Sequence, residues 1–199
     1  MAQAWAQPLE LEDRGIKLVP LSLQHEAGLR VAAADGELWN IRVTSVPRPE
    51  ETRKYVEDAL RMQEEGKRVP FAVTEAATGA VLGSSSYHDI LPDVKRLEIG
   101  YTWYGKSRQR TALNTVCKLM LLRHAFETLG AGVVGWRTDN FNFASQRAIE
   151  RLGAKLEGVL RGHAKRRDGT IRDTVLYSVT RGEWPEIQAH LLYQLQRPR

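Results

Sequence analysis

The spacing of apolar and polar residues changes period repeatedly along this chain, and each change predicts an element. Residues 16–19 alternate and predict a strand. Residues 22–34 and 50–65 carry apolar positions at helical spacing and predict two helices. Between them lies Trp39-Asn40-Ile41-Arg42-Val43-Thr44-Ser45-Val46-Pro47, a loop of the kind that often carries binding residues. Residues 69–74 and 81–88 predict strands joined by the turn Ala76-Ala77-Thr78-Gly79, and residues 97–103 predict another after the loop Leu91-Pro92-Asp93. Residues 111–129 predict a helix. There Leu113, Val116, Cys117, Met120, Leu121, Phe126 and Leu129 cover most of the circumference, so the helix should be buried and end at Gly130. Residues 133–138 are apolar and β-branched, as in a central strand.

The remainder continues the alternation. A short helix opens near Asn142 and stops at Gly153, a residue that tolerates the left-handed conformation after a helix. Two strands then form a hairpin around Asp168-Gly169. Residues 183–196 predict a last helix, with Trp184, Ile187, Leu191 and Leu195 on one stripe that would cap its own sheet or a second subunit. The order predicts a mixed α/β protein with one central mixed sheet of about seven strands flanked by helices. One domain is expected over residues 15–199, with residues 1–14 a lead-in of no clear period.

Composition narrows the class. Hydrophobic content of 42% and charged content of 27% are those of an ordinary globular domain. No apolar run approaches the roughly 20 residues that cross a bilayer, and no basic segment followed by an apolar core opens the chain. Cys117 has no second cysteine to pair with, so a cytoplasmic protein is expected. His25, His88, His124, His163 and His190 are scattered, and no metal site is expected. The net charge of +5 admits nucleic acid. The basic residues collect near turns, at 106–110 and 161–172, which a small polyanion would explain as well as nucleic acid would, and no interleaved aromatics support nucleic acid.

The first cluster has a specific context. A strand, the turn Tyr104-Gly105-Lys106-Ser107-Arg108-Gln109-Arg110 and a helix place unpaired N–H groups at the positive end of the helix dipole, and the guanidinium groups add charge. No Gly-x-Ser-x-Gly elbow, phosphate-loop Gly-Lys-Ser/Thr or metal-binding His pair offers a rival chemistry. Cys117 lies within the apolar helix, a poor place for a nucleophilic thiol.

The ordered run from Asp139-Asn140-Phe141-Asn142-Phe143-Ala144-Ser145-Gln146-Arg147, through Glu150-Arg151-Leu152-Gly153-Ala154, Asp168-Gly169, Arg172-Asp173 and Tyr177-Ser178 to Glu183-Trp184, resembles the second half of a GCN5-related N-acetyltransferase. The similar branch contains the ribosomal-protein N-terminal acetyltransferases, and the resemblance spans roughly residues 14–195. It implies transfer of an acetyl group from acetyl-CoA to an amine by direct attack in a ternary complex. The turn at 104–114 would hold the pyrophosphate through Arg108, Gln109, Arg110, Thr111, Ala112 and Asn114. The turn lacks the family's glycines, and Val116 stands where relatives often carry an acidic residue. Asn142 and Ser145 are favoured helix-capping types. The resemblance further implies that Asn142 contacts pantetheine, that Ser145 lies near the sulfur and protonates the leaving thiolate, and that Arg147 reaches the 3′-phosphate.

A thioester is already activated, so the chemistry needs only a neutral amine and donors for the developing oxyanion. Glu98 is the expected base, directly or through water, with His88 and Asp89 as rivals; the alternative for Glu98 is an outward-facing strand carboxylate or a partner for Arg137. Tyr101 and Tyr177 are the alternatives to Ser145 as acid. Trp39, Thr44 and His88 are expected on the acceptor side, together with the Asp168 hairpin. The acceptor implied is a protein or peptide N-terminal amine, with a small amine or aminoglycoside as the alternative. A non-catalytic acyl-CoA-binding module is a further alternative, motivated by the glycine-poor turn. A homodimer is expected, and nucleic acid and membrane are not.

Overall fold

Eight strands and five helices of at least two turns account for most of the computed structural model, which describes residues 5–197. The strands are β1 (Leu11–Asp13), β2 (Ile16–Pro20), β3 (Arg68–Glu75), β4 (Val81–Leu91), β5 (Arg96–Tyr104), β6 (Val133–Asp139), β7 (Lys155–Lys165) and β8 (Ile171–Thr180). They make one sheet in the order β1-β2-β3-β4-β5-β6-β8-β7, with β5 and β6 parallel and every other pair antiparallel. The helices are α1 (Glu26–Ala34), α2 (Thr52–Glu64), α3 (Leu113–Arg123), α4 (Phe143–Glu150) and α5 (Trp184–Gln196).

Each face of the sheet buries its own core. Leu97, Ile99, Val134, Trp136, Val175 and Tyr177 pack with Leu119 and Leu122 of α3 and Trp184 and Leu191 of α5. On the other face Ala72 and Trp103 pack with Leu29 and Ala33 of α1 and Val56 and Ala59 of α2. Strict alternation along β5 would put Trp103 beside Leu97 and Ile99. It lies on the opposite face because β5 carries an extra residue there: Ser84 pairs with Trp103 but Ser86 pairs with Gly100. A bulge of this kind re-aims side chains, and Tyr101 takes a left-handed φ of 52° within it.

The observed boundaries differ from the sequence pattern most at the N-terminus and along α3; α1 also starts later, at Glu26, and β4 runs on to Leu91. The sheet has eight strands instead of about seven, because β1 forms within the expected lead-in and Trp5 joins the core. The short β1 has too few residues to show a period, but a hairpin with Arg14 and Gly15 both at positive φ fixes it against β2. Helix α3 starts at Leu113 instead of Thr111, since Arg110 is left-handed and the Thr111 hydroxyl caps the Leu113 amide at 3.3 Å. It then widens into a π-helical turn, His124–Thr128, before Gly130 at φ 74° ends it. The apolar stripe of α5 packs on its own sheet, with Trp184, Ile187 and Leu191 buried in the larger core.

The hairpin of β7 and β8 is tied to the end of β6 by a buried ion pair. Arg166 donates from Nε to Asp139 Oδ2 at 2.6 Å and from Nη2 to Asp139 Oδ1 at 3.1 Å. Among the described residues no helix is long and apolar enough to cross a membrane.

Leu97 is fully buried on β5, beside the short stretch where β5 and β6 pair. Leu97→Ala should cost about 2–5 kcal/mol of stability, measured as a lowered denaturation midpoint at unchanged slope.

Candidate active site

The parallel pairing of β5 and β6 covers only three positions, Arg96↔Val133, Leu97↔Val134 and Glu98↔Gly135. Beyond Glu98 the two strands continue for six and four residues respectively, to Tyr104 and Asp139, without pairing to each other. The sheet therefore opens into a wedge whose vertex is Glu98. Peptide groups along its inner edges lack the partners a continuous ladder would supply, and an extended ligand bearing amides can satisfy them.

Because β5 and β6 are parallel, the helices that follow them open at the same end of the sheet. At the first, Ser107 donates from its amide and hydroxyl to Asp35 Oδ2 at 2.8 and 2.6 Å, which pins the turn to the end of α1. Gln109 Nε2 donates to the Tyr104 carbonyl at 3.0 Å, and the Tyr104 hydroxyl donates to Asn114 Oδ1 at 3.3 Å. The amides of Thr111 and Ala112 have no hydrogen-bond partner among the described residues. Such amides at a helix N-terminus, with Arg108 exposed beside them, suit a phosphate group. A groove of about 580 Å³ runs along this N-terminus, lined by Arg14, Ser107, Arg108 and Thr111 with Leu82 and Leu113.

At the second helix Asn142 Oδ1 accepts the Ser145 amide at 3.1 Å, so the cap read from the residue types is present. The Ser145 hydroxyl makes no hydrogen bond among the described residues and is half-buried. Arg147 is exposed on the same helix. Arg151 Nη1 reaches Thr115 Oγ1 of α3 at 3.0 Å, which ties the two helices together.

The vertex is charged, and its carboxylate is buried. Glu98 is 1% exposed. Its Oε1 lies 3.0 Å from Arg137 and 3.7 Å from Arg96, while Oε2 has no partner among the described residues and lies 4.0 Å from His88 Nε2. Burial raises the Glu98 carboxyl above the ordinary range, and Arg137 opposes this. Burial also pulls His88 down to about 4, so its ring is neutral at physiological pH. Arg137 is also paired with Asp89. Two glycines make room for this cluster. A Cβ on Gly135 would lie 2.9 Å from Arg96 Nη2 and 3.1 Å from Glu98 Cγ, and one on Gly100 would lie 2.3 Å from His88 Nε2.

A divergent parallel pair, two helix N-termini at its mouth and a buried carboxylate at its vertex match a known fold and family. The model of the acetyltransferase (GNAT) domain matches residues 16–155. This chain belongs to the GNAT acetyltransferase family.

YoaA of Bacillus subtilis (strain 168), an uncharacterized N-acetyltransferase, is 25% identical over 133 residues, which are 66% of this chain and 73% of YoaA. Among solved structures, a protein of T. thermophilus described as an acetyltransferase is 38% identical, covers 96% of this chain and 99% of its own, and has a TM-score of 0.82. RimJ of Mycobacterium smegmatis, solved with CoA-disulfide, is 21% identical over 92% of this chain and 90% of its own, with a TM-score of 0.74, a likeness of fold alone. The GNAT assignment makes this chain an acetyl-CoA-dependent acetyltransferase.

In this GNAT framework the expected acceptor-side segments meet. Arg42 Nε donates to Asp168 Oδ2 at 2.8 Å, and Arg167 Nη2 donates to the Val46 carbonyl at 3.1 Å, joining the 39–47 loop to the hairpin. Within that loop Trp39 packs partly on the α1–α2 core, and Thr44 Oγ1 accepts the Val46 amide at 3.0 Å. Tyr177 is a poor acid, because its hydroxyl donates to Glu150 at 2.8 Å and burial pushes it up to about 12. Burial likewise pushes the Cys117 thiol up to about 11.

Two buried cations escaped the sequence reading. Arg68 opens β3, and Lys118 lies on α3 with its Nζ donating to Thr102 Oγ1 at 2.6 Å and to Ser85 Oγ at 3.3 Å. Burial lowers Lys118 to about 7. A lysine inside an almost wholly apolar helix, and an arginine opening an apolar strand, were the available signals.

Glu98 should titrate above an ordinary glutamate in a carbon-13 NMR pH series of the free protein. Arg137→Met should move its midpoint higher still, since the guanidinium favours the ionised form.

Proposed function

We propose that the enzyme transfers acetyl from acetyl-CoA to a primary amine, most consistently the N-terminal α-amine of a peptide or protein, by direct attack in a ternary complex. The observation that carries this reading is the unpartnered Oε2 of Glu98 at the vertex of the wedge. A buried carboxylate oxygen without a donor is costly, and an incoming amine N–H or a water molecule between them satisfies it. An α-amine with a pKa near 8 needs only a weak base, and a carboxyl raised by burial is better matched to it than an exposed one. Arg137 and Arg96 hold the other oxygen and fix its direction.

The donor side follows from the same wedge. Thr111 and Ala112, with Arg108, Gln109, Arg110 and Asn114 around them, receive the diphosphate, and Asn142 lies along the pantetheine arm. Arg147 reaches the nucleotide phosphate. Ser145 carries the free hydroxyl nearest in chain position to the second helix N-terminus and returns a proton to the departing thiolate. The 39–47 loop, with Trp39 and Thr44, and the hairpin at Asp168 frame the acceptor together with His88. RimJ and a ribosomal-protein-serine acetyltransferase of Vibrio cholerae share this fold, which accommodates a peptide acceptor.

The reading extends to a cytoplasmic homodimer. Since α5 packs on its own sheet, the pairing surface is the outer hairpin, where Leu156, Val159, Leu160 and Ile171 are exposed. Sedimentation at micromolar concentration should give a dimer that Leu156→Glu with Ile171→Glu converts to monomer, and a wild-type monomer contradicts it.

Glu98→Gln should lower kcat by about 10²-fold or more with the KM for acetyl-CoA within about twofold, in a thiol-release assay on an N-terminal peptide. Ser145→Ala should reduce turnover more than coenzyme affinity, and the reverse outcome would leave Ser145 only part of the helix cap. Release of no thiol with any peptide, polyamine or aminoglycoside, despite tight acetyl-CoA binding, would make the chain a binding module.

A further inference from the structure

Arg68 is 2% exposed, yet no carboxylate lies within salt-bridge distance of it among the described residues. Its Nε donates to Ser86 Oγ at 2.8 Å and its Nη2 to the Tyr55 hydroxyl at 3.5 Å, so two of the five guanidinium N–H groups are engaged. The ring of Tyr101, set by the left-handed bulge, lies 3.8 Å from its Cζ, and that of Tyr55 lies 5.7 Å away. Ring faces offset part of the desolvation of a cation, but an anion offsets far more.

The register places this cation in line with the vertex of the wedge. Arg68 pairs with His88, His88 with Glu98 and Glu98 with Gly135. These positions project to one face of the sheet, the face on which the Tyr101 ring packs edge-on against His88 at 5.2 Å. Two strand spacings separate Arg68 from Glu98, roughly 10 Å between backbones. A ligand whose amine meets Glu98 can therefore place an anion a few bonds away against the guanidinium.

We propose that Arg68 is a specificity residue that receives a carboxylate of the acceptor, so that the enzyme selects amines carrying a nearby anionic group. The proposal deepens the amine-acceptor reading and rests on it. Two sources present this chemistry: the free C-terminus of a dipeptide, and an acidic second side chain in a longer peptide. Polyamines, and amines whose neighbouring carboxyl is amidated, bring no anion, leave the guanidinium uncompensated and bind less well.

The test uses the full chain saturated with CoA, which permits binding without turnover. Calorimetry compares Ala-Ala with Ala-Ala-amide, and C-terminally amidated Ala-Glu-Ala-Ala-Ala with its Ala-Gln counterpart. In at least one pair the acid should bind about tenfold more tightly, the scale of one charge-assisted hydrogen bond. The pair that shows the preference identifies the source. Arg68→Gln should bring acid and amide within about twofold while leaving CoA affinity unchanged, and Arg68→Lys should keep part of the preference. Should Arg68→Gln not fold, the wild-type pairs and Arg68→Lys decide. Equal binding of acid and amide, binding of neither, or a preference that survives Arg68→Gln would overturn the proposal. Thiol release from the same peptides separates the two ideas: turnover without acid preference removes the role of Arg68 alone, and acid preference without turnover removes acetyl transfer alone.

Discussion

Two parallel strands that separate leave peptide groups that neither strand can satisfy, and a protein tolerates this only where something else completes the bonding. In this chain β5 and β6 pair from Arg96 to Glu98 and then diverge. The rest of the active region follows from that divergence. It sets a slot through the sheet, brings the N-termini of α3 and α4 to one mouth, and leaves Glu98 at the closed end. The bulge at Tyr101 belongs to the same device, because it turns the ring toward Arg68 and His88 while returning Trp103 to the α1–α2 core.

The vertex concentrates charge that the fold must neutralise internally. Arg137 bridges Asp89 and Glu98, Arg96 approaches both Glu98 and Glu157, and His88 remains neutral through burial. One oxygen of Glu98 is thereby fixed and the other left without a donor. The asymmetry leaves one oxygen of a buried carboxylate open to an incoming donor. The hairpin is stabilised separately, by Arg166 on Asp139, and Arg42 and Arg167 then tie the 39–47 loop to it. The 39–47 loop and the hairpin are thus cross-linked over long sequence separations, whereas the mouth of the wedge is built from two local strand–turn–helix units.

That difference explains what the sequence made legible. Local units announce themselves: the turn after Tyr104, the Asn142 cap and the Asp168-Gly169 turn were all readable, and each forms where the residues predicted it. The apolar stripe of α5 was equally visible, but its destination depended on tertiary packing. Strand β1 was missed because three residues cannot show a period. The pairing of Glu98 with Arg137 was anticipated as an alternative and forms, whereas the isolation of Arg68 depends on registers across several strands that no spacing along the chain encodes. The family resemblance anticipated the fold and the acetyl-CoA co-substrate, while Arg68 and Lys118 emerge only from burial.

Amide hydrogen exchange with and without acetyl-CoA tests the central claim most directly, because it reads the peptide groups that the divergence leaves open. The account predicts that the coenzyme slows exchange selectively at Thr111 and Ala112, along β5 from Ile99 to Thr102, and along β6 beyond Gly135. Protection confined to other parts of the sheet, or tight binding with no change along these two strands, would contradict it.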